Sequence, residues 1–332
     1  MPDAPQVSAI IVNYNRWTLL QECLRALGAQ TYRDMEIIVV DNGSSDNSAE
    51  HVKRFFPQTK AIVLERNVGF CEGNNHGIAI ARGEFIALLN NDAAPDPRWL
   101  EELVKAARDH PEASFFASRV LRYDAPTLLD SAGDGIALAG TAYRRGHRQP
   151  ASQYAREEFV FGASGSAAFY RRRLLQEVGL FDEDFFAVYE DADLSFRAQL
   201  AGYRCLYVPT AIVYHRGSGT IGTYSDFYVY QTQRNVEFFF LKNMPSPLCF
   251  LLLPHHLLYD LLGLLFFVLL ERRGGAFLRA KRDAVRHLPR MLEKRRAIQA
   301  KRSMSVRYLL SLLERDWLFR TAREKLGQEN SR

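Results

Sequence analysis

The feature that most constrains the fold is a fourfold alternation between short apolar runs and segments with helical spacing. The apolar runs lie at residues 7–12, 36–40, 61–64 and 85–89, and a segment of helical pattern follows each of them. Such alternation predicts an α/β fold with a mainly parallel central sheet and right-handed crossovers. The carboxyl ends of the strands then lie along one edge of the sheet, where open α/β sheets bind their ligands.

Polar or glycine-rich residues follow each predicted strand. Asn13 and Tyr14 follow the first strand, Asp41 the second, and Asn67 and Gly69 the third. We expect these residues to converge at one edge of the sheet and to contact a ligand there. The alternative is a set of ordinary turns, in which Asn and Asp bond to their own backbone. A Rossmann dinucleotide site and a P-loop are not expected, because the sequence has neither motif.

The fourth strand carries the clearest chemical signal. Phe85–Leu89 is apolar without a break, as in a strand buried on both faces, and Asn90, Asn91 and Asp92 follow it directly. Pro95, three residues further on, is expected to stop any strand. A carboxylate at such a strand end suits Mg²⁺ or Mn²⁺ and, through the ion, a phosphate. The alternative is again a turn that caps its own backbone.

Chain length, cysteine spacing and charge limit the possible domain organisation, thiol state and binding partners. The 332 residues suffice for one large α/β domain and an appendage. The four cysteines are isolated and predict reduced thiols, and the N-terminus lacks the pattern of a signal peptide. Residues 271–332 hold 18 Lys and Arg against 7 Asp and Glu, a charge of +11, so the total of +5 leaves −6 for residues 1–270. A basic tail indicates a polyanionic partner, either nucleic acid or a membrane surface.

The segment before the basic tail decides between these partners. Residues 248–270 are apolar over about the length of a spanning helix, but Pro254, His255, His256 and Asp260 interrupt them. A single crossing would place the basic tail on the far side, against the positive-inside tendency. We therefore predict helices that lie in the cytoplasmic leaflet rather than span it, and no nucleic-acid binding.

A second apolar pattern lies within the tail itself. Apolar residues recur with helical spacing among arginines over residues 306–317. This pattern predicts an interfacial amphipathic helix whose basic residues are attracted to anionic lipid. The alternative is a helix that packs against the protein or forms a dimer contact.

Five segments together resemble the family 2 glycosyltransferases, which have the GT-A fold: IIVNYNR, IIVVDNGSSDNS, RNVGFCEGNNHGI, ARGEFIALLNND and VYEDADLSFRAQLAGYRCLYVP. The resemblance extends over about residues 7–240, and the order and spacing of the segments make it specific. Within the family the chain is most similar to bacterial rhamnosyltransferase-type enzymes of surface-polysaccharide synthesis. The resemblance implies a GT-A catalytic domain over residues 1–243, and the apolar and basic patterns after it predict a helical membrane-docking region over residues 244–332.

The resemblance implies that the strand-end residues bind the donor nucleotide. Asp41 would bind the nucleoside, and the turn at Asn67 and Gly69 would line the pocket. Arg234, in the run YQTQRNVEFFFLKN, would reach a phosphate, or alternatively only cap the fold. The remaining residues assigned to the nucleotide are Asn13, Tyr14, Asn90 and Asn91.

The resemblance also implies a metal site. Asn90, Asn91 and Asp92 take the place of the family's Asp-x-Asp, with Asn90 in place of the first acid, so only Asp92 carries charge. A histidine at the position of His215 completes the metal site in related enzymes, and the glycine-rich loop after it covers the diphosphate. We therefore predict Mg²⁺ or Mn²⁺ held by Asp92, His215 and diphosphate oxygens.

Glu190 and Asp191 open a predicted helix that ends at Gly202. Acidic residues in a first turn stabilise the helix dipole, which is the structural alternative for this pair. Crowding with Asp193 is expected to raise the pKa of at least one of these carboxyls, as a general base requires. In the family this pair supplies the base, and we assign that role to Asp191, with Glu190 positioning or contacting the acceptor. We interpret residues 124–156 either as a lid that faces the acceptor or as a plain insertion.

The sequence thus predicts an inverting, metal-dependent glycosyltransferase at the cytoplasmic face of a bacterial inner membrane. Its donor would be a nucleoside-diphosphate sugar, with dTDP-rhamnose suggested by the branch it resembles. Its acceptor would be a saccharide or a polyprenyl-linked saccharide. One alternative is a catalytically impaired protein that binds nucleotide sugars at the membrane, which Asn90 favours. Another is a nucleotidyltransferase on a similar sheet, although the first strand lacks the glycine-basic motif that such an enzyme needs.

Overall fold

The computed structural model of the protein describes residues 4–217 and 225–316. They fall into two compact units, one drawn from residues 1–134 and 144–223 and the other from residues 135–143 and 224–332. Residues 226–243, which the sequence analysis placed in the catalytic domain, form a helix of the second unit.

The first unit is built from alternating strands and helices. In its first part these are β1 (Val7–Asn13), α1 (Trp17–Gly28), β2 (Met35–Asp41), α2 (Ser48–Phe55), β3 (Lys60–Val63), α3 (Gly69–Ile80), β4 (Phe85–Leu89), β5 (Ala93–Pro95), α4 (Trp99–Asp109), β6 (Ala113–Arg122) and β7 (Leu129–Ser131). The chain then passes through β8 (Asp134–Ala137) and β9 (Ala142–Arg144), which extend into the second unit. It continues in the first unit with β10 (Glu158–Val160), β11 (Ala167–Arg171), α5 (Arg172–Val178), α6 (Glu190–Leu200) and β12 (Arg204–His215).

One sheet runs through the first unit in the order β10-β12-β6-β11-β4-β1-β2-β3, with β5 beside β12 and β7 beside β6. β1 to β4 pair in parallel, as the sequence predicts, so their carboxyl ends share one edge. Beyond β4 the sheet becomes mixed, because β11 lies antiparallel between β4 and β6. No crossover helix leads into β11, and a parallel partner of β4 would need one. The sheet is therefore parallel over its first four strands, as predicted, and again between β6 and β12, but it is mixed as a whole.

The core of the first unit lies where the apolar pattern places it. All five residues of β4 are buried, because helices cover both faces of the central strands. Leu20, Leu24 and Leu27, the spacing that predicted α1, all lie in the core with Trp99 of α4. Burying each such side chain contributes roughly 1.5–3 kcal/mol, so the strand ends project from a rigid base.

The second unit is mainly helical. Its elements are α7 (Asp226–Asn243), α8 (Ser246–Leu265) with a π-helical continuation (Phe266–Leu270), α9 (Gly274–Arg286), α10 (Leu288–Ala300), α11 (Val306–Ser311) and β13 (Leu313–Glu314), which pairs with β8.

Two sequence expectations change in this unit. The helix of α8 continues through Pro254, which was expected to interrupt it. The stretch Ser246–Leu270 is the one helix in the described residues that is long and apolar enough to cross a bilayer. The helix predicted over residues 306–317 begins at Val306 but is shorter than expected, and in its described part it packs against the protein, which was the alternative. α11 ends at Ser311, and Leu309 and Leu313 are buried within the protein instead of facing lipid; Trp317 lies outside the described residues.

Candidate active site

Hydrogen bonds between side chains join the ends of β1, β2 and β4. Asn13 is fully buried, accepts a hydrogen bond from Asn91 Nδ2 at 2.8 Å and makes a longer one of 3.5 Å to Asp41 Oδ2. Its amide also donates to Ser44 Oγ at 3.3 Å. Because Asn13 has no exposed surface, any part it plays in nucleotide binding would be indirect, through the positions of Asp41 and Asn91.

Asp41 and Tyr14 differ sharply in exposure. Asp41 is only 2% exposed, and its Oδ1 accepts the Ser44 N–H at 2.9 Å, which is the turn that the sequence offered as the alternative. Tyr14 is 38% exposed and keeps its ring accessible at the end of β1. The assignment of both residues to the donor nucleoside stays a prediction.

The turn between β3 and α3 is braced by Asn42, which the sequence analysis did not single out. Asn42 accepts the Val68 N–H at 2.9 Å and donates to the Gly69 carbonyl at 3.0 Å. Asn67 Oδ1 accepts from Asn42 at 3.1 Å and from the Gly69 N–H at 2.9 Å. Gly69 has φ +91°, and a Cβ there would lie 2.6 Å from the Phe186 carbonyl oxygen. Glycine is therefore required here by the neighbouring backbone, whatever ligand also approaches.

Asp92 and His215 are brought together by a short strand that the sequence analysis did not predict. β5 pairs antiparallel with the end of β12, and Ala93 lies opposite His215. Pro95 was expected to stop any strand, but it occupies the last position of a three-residue one, where a missing N–H is tolerated. As a result, Asp92 Oδ1 lies 3.1 Å from His215 Nε2. The side-chain amide of Asn90 is 3.4 Å from the same nitrogen.

The other side of the His215 ring contacts Asp130 on β7. His215 Nδ1 donates to Asp130 Oδ2 at 2.9 Å, and Arg144 donates to Oδ1 at 2.6 Å. Burial alone would lower the pKa of His215, but its hydrogen bonds to Asp130 and Asp92 raise it to about 9. Burial would raise the pKa of Asp130, yet hydrogen bonds from His147 and His215 and the charge of Arg144 hold it well below its usual range. No pattern in residues 124–156 distinguished Asp130 from its neighbours.

The donor set at Asp92 and His215 fits a divalent cation. Two ligand atoms each about 2.1 Å from one ion and at right angles are about 3 Å apart, close to the observed separation. The hydrogen bond from Nδ1 to a carboxylate leaves Nε2 to face the ion, as is usual for histidine ligands. One carboxylate and one imidazole would leave further positions for diphosphate oxygens.

Glu190 and Asp191 are presented by a strained turn at the start of α6. Val188 and Tyr189 have φ of 72° and 76°, a conformation that is unfavourable for β-branched and bulky side chains. Asp191 is the one residue of α6 that is partly exposed; the others are buried. Its Oδ2 accepts the Gly165 N–H at 2.9 Å.

The two carboxyls of this pair are held in different states. Burial, reinforced by the charge of Asp191, raises the pKa of Glu190 to about 8, and Glu190 Oε2 has no hydrogen-bond partner among the described residues. Partial burial also raises the pKa of Asp191, but the N–H groups of Gly165 and Ala192 oppose this effect. Glu190 therefore keeps its proton near neutral pH, and Asp191 is the better anion. Asp193, whose crowding was expected to raise the pKa of at least one of these carboxyls, is paired with Arg197 at 2.9 Å and is the smallest of the causes that raise the pKa of Glu190.

Backbone contacts link this pair to the end of β4. Gly165, which donates to Asp191, is followed by Ser166, whose carbonyl accepts the Asn90 N–H at 3.0 Å. The base candidate and the strand end that leads to Asp92 thus share one loop. Arg234 belongs to α7 of the second unit, where its guanidinium donates to Gln231 and Asn235, so its contact with a phosphate stays a prediction. Most of the predicted diphosphate loop, residues 218–224, lies outside the described residues.

Comparison with known proteins agrees with the family that the sequence resembles. The sequence profile described as Glycosyl transferase family 2 matches residues 8–179. The N-acetylglucosaminyl-diphospho-decaprenol L-rhamnosyltransferase of Mycobacterium tuberculosis is 27% identical over 242 residues, which cover 64% of this chain and 76% of the relative.

Two solved structures share the fold. S. aureus TarS superimposes with a TM-score of 0.56 at 18% identity, over 89% of this chain and 87% of that one. The mannosyltransferase PcManGT from Pyrobaculum calidifontis, in complex with GDP-Man and Mn²⁺, gives 0.51 at 18% identity, over 86% and 76%. These similarities confirm the predicted GT-A-like α/β fold.

Proposed function

Because the chain belongs to glycosyl transferase family 2, we propose that it moves a sugar from a nucleoside-diphosphate sugar to a lipid-linked saccharide, with inversion and with the help of Mg²⁺ or Mn²⁺. The observation that carries this proposal is the pair formed by Asp92 Oδ1 and His215 Nε2, 3.1 Å apart at the end of β4. The complex of PcManGT with GDP-Man and Mn²⁺ supports both the donor class and the metal.

Asp191 carries out the proton transfer in this proposal. Its carboxylate takes the proton of the acceptor hydroxyl while that oxygen attacks the anomeric carbon and the bond to the diphosphate breaks. Glu190, which holds its own proton near neutral pH, would donate a hydrogen bond to the acceptor. A divalent cation, when bound by Asp92 and His215, supplies positive charge to the departing diphosphate.

The relative from M. tuberculosis suggests the substrates. Its name describes an enzyme that transfers L-rhamnose to N-acetylglucosaminyl-diphospho-decaprenol, and it is 27% identical to this chain. We therefore propose dTDP-rhamnose as the first donor to examine and a saccharide on a polyprenyl diphosphate as the acceptor class.

This acceptor class and the surface of α8 support the proposal of a membrane location. The helix and its continuation expose a row of large apolar side chains at helical spacing, namely Phe250, Leu251, Leu257, Leu258, Leu261, Leu262, Leu265, Leu269 and Leu270. Phe250 is 78% exposed and Leu270 is 70% exposed, and a contiguous exposed apolar surface marks a site of protein or membrane contact. Exposed arginines follow directly, beginning with Arg272 and Arg273, and would attract anionic lipid.

The opposite side of α8 is held against protein by charged groups. His256 donates to the Ala139 carbonyl at 2.8 Å and contacts Glu237 at 3.1 Å. Lys281 of α9 donates to Asp260 at 2.6 Å and also to Glu237. Glu237, His256 and Asp260 bring potential metal ligands within 4.8 Å of one another, but Lys281 already pairs with both carboxylates. A helix with one charged, packed side and one apolar side suits a position in the plane of the interface.

The catalytic part is tested by a donor screen with the full chain. Purified protein is given nucleotide sugars, a polyprenyl-diphosphate saccharide and Mn²⁺ or Mg²⁺, and release of nucleoside diphosphate is measured. Turnover that needs donor, acceptor and metal together supports the proposal. Tight donor binding without turnover for any acceptor would favour the catalytically impaired alternative.

The membrane part is tested by flotation with vesicles containing anionic phospholipid. The double variant Leu258→Asp and Leu262→Asp, on the exposed face of α8, should lose most of its vesicle binding. Val63→Asp is the matched control, because Val63 is 50% exposed but lies on β3 of the first unit. Equal flotation of wild type and double variant would refute the docking role of this face.

A further inference from the structure

Asp130 lies behind the imidazole of His215, on the side away from Asp92. It is 5% exposed, and its Oδ2 is 2.9 Å from His215 Nδ1. Arg144 donates to the other carboxylate oxygen at 2.6 Å, and His147 Nδ1 donates to the Asp130 backbone carbonyl at 3.0 Å. Since both carboxylate oxygens are bonded, the carboxylate is held in a single orientation.

The fold places Asp130 on a rigid element. β7 pairs with the end of β6, Leu129 opposite Leu121, and β6 pairs in turn with the end of β12 that carries His215. The chain returns beside β7, where the Arg148 N–H donates to the Leu129 carbonyl and the Arg145 N–H donates to the Gly133 carbonyl, both at 2.8 Å. Arg144 and His147 come from this returning segment.

We propose that Asp130 is a positioning residue for the metal site: it fixes the His215 imidazole so that Nε2 faces Asp92, and Arg144 and His147 hold Asp130 in place. The inference rests on the proposed metal-dependent function and assigns part of residues 124–156 to it. A carboxylate that accepts from Nδ1 keeps the proton of the neutral ring on that nitrogen and leaves the Nε2 lone pair free for a cation. If Asp130 served only as a buried counter-ion, its loss would change stability without a specific effect on metal affinity.

The test measures Mn²⁺ binding to the full chain, with Mn²⁺ alone as the probe, by electron paramagnetic resonance of the free ion. Asp130→Asn keeps the shape of the side chain but removes the charge, and we expect a 10- to 100-fold weaker Mn²⁺ affinity. Asp124→Asn is the matched control, since Asp124 is a carboxylate of the same insertion that pairs with Arg122 on the surface. This control should bind Mn²⁺ as wild type does. Thermal unfolding of each metal-free protein reports its stability separately.

The outcomes separate this inference from the proposed function. If wild type binds no Mn²⁺, the metal dependence fails and this inference fails with it. If wild type binds and Asp130→Asn binds equally well, only this inference is overturned. Asp130→Ser provides a second variant should Asp130→Asn not fold. If neither variant folds, Asp130 is required for the stability of the fold, and this result also overturns the inference.

Discussion

Oδ1 of Asp92 lies 3.1 Å from Nε2 of His215, although 123 positions separate the two residues in the chain. Both side chains are largely buried, and the register of β5 against β12 places them side by side. The contact is therefore fixed by backbone pairing rather than by the rotamers of two surface residues. In this arrangement a proton and a cation compete for the same ring nitrogen.

Mn²⁺ affinity is expected to rise with pH until about pH 9. Burial opposes the charged ring, but hydrogen bonds to Asp130 and Asp92 raise the pKa of His215 to about 9, so below that pH a cation must displace a proton. The affinity should then rise up to about tenfold for each pH unit and level off above pH 9. Mn²⁺ titrations at pH 7, 8 and 9 measure this slope, and His215→Gln should remove it. A wild-type affinity that does not change with pH would contradict this account.

The same group has the opposite effect on folding without metal. Protonated His215 stabilises the folded state fully below its ordinary pKa of 6.5, and this contribution is lost as the pH rises towards about 9. The corresponding change in the free energy of unfolding is about 3 kcal/mol. Urea unfolding of the metal-free protein across this range, with His215→Gln for comparison, measures it.

Asp191→Asn is expected to lower turnover by about 10²- to 10⁴-fold while leaving donor affinity unchanged, because an amide cannot accept the acceptor proton. Rates of nucleoside diphosphate release and donor binding by calorimetry check the two halves of this prediction. Asp109→Asn, at the exposed end of α4, is the control and should keep wild-type turnover. Full turnover in Asp191→Asn would mean that another group is the base.

Glu190→Gln is expected to flatten the dependence of stability on pH. Burial and then the charge of Asp191 raise the pKa of Glu190 to about 8, so the folded state retains a proton that the unfolded state loses near pH 4.5. Wild-type stability should therefore fall as the pH rises from about 4.5 to about 8, by up to about 1.4 kcal/mol per unit. Glutamine resembles the neutral acid at every pH and should remove the part of this fall that Glu190 contributes, leaving the contribution of His215 above pH 6.5. Denaturant midpoints of both proteins at pH 5, 6.5 and 8 test this prediction. If stability depends on pH in the same way for wild type and Glu190→Gln, Glu190 is not a buried neutral acid.

Local patterns in the sequence were sufficient to predict the first four strands and their polar ends. Apolar runs of four to six residues between helical segments are typical of strands buried in a sheet flanked by helices, and β-α alternation predicts the parallel pairing of β1 to β4. The convergence of Asp41 and Asp92 on one edge follows from that order. The presence and direction of these strands could therefore be predicted from local patterns, whereas their spatial order could not.

The remaining part of the site depends on pairings that periodicity does not encode. β5 has three residues, ends in proline and forms only because β12 lies beside it, so the contact between Asp92 and His215 could not be derived from either segment. Asp130 lies on β7, another three-residue strand, in an insertion without a regular pattern. Similarly, the burial of Leu309 within the second unit depends on tertiary packing, which the apolar spacing of residues 306–317 could not reveal.

Gly69→Ala is expected to destabilise the protein by about 2 kcal/mol or more. The residue has φ +91°, where a side chain is strained, and a Cβ would lie 2.6 Å from the carbonyl oxygen of Phe186, which accepts the N–H groups that follow Gly69 at the start of α3. Gly28→Ala is the matched control, since a Cβ at the end of α1 would meet no atom within 4 Å; its effect should stay within about 1 kcal/mol and favour stability. Urea unfolding of both variants measures these changes in the free energy of unfolding. If Gly69→Ala unfolds at the wild-type midpoint, the approach of the Phe186 backbone does not require glycine, and a ligand becomes the better explanation for this residue.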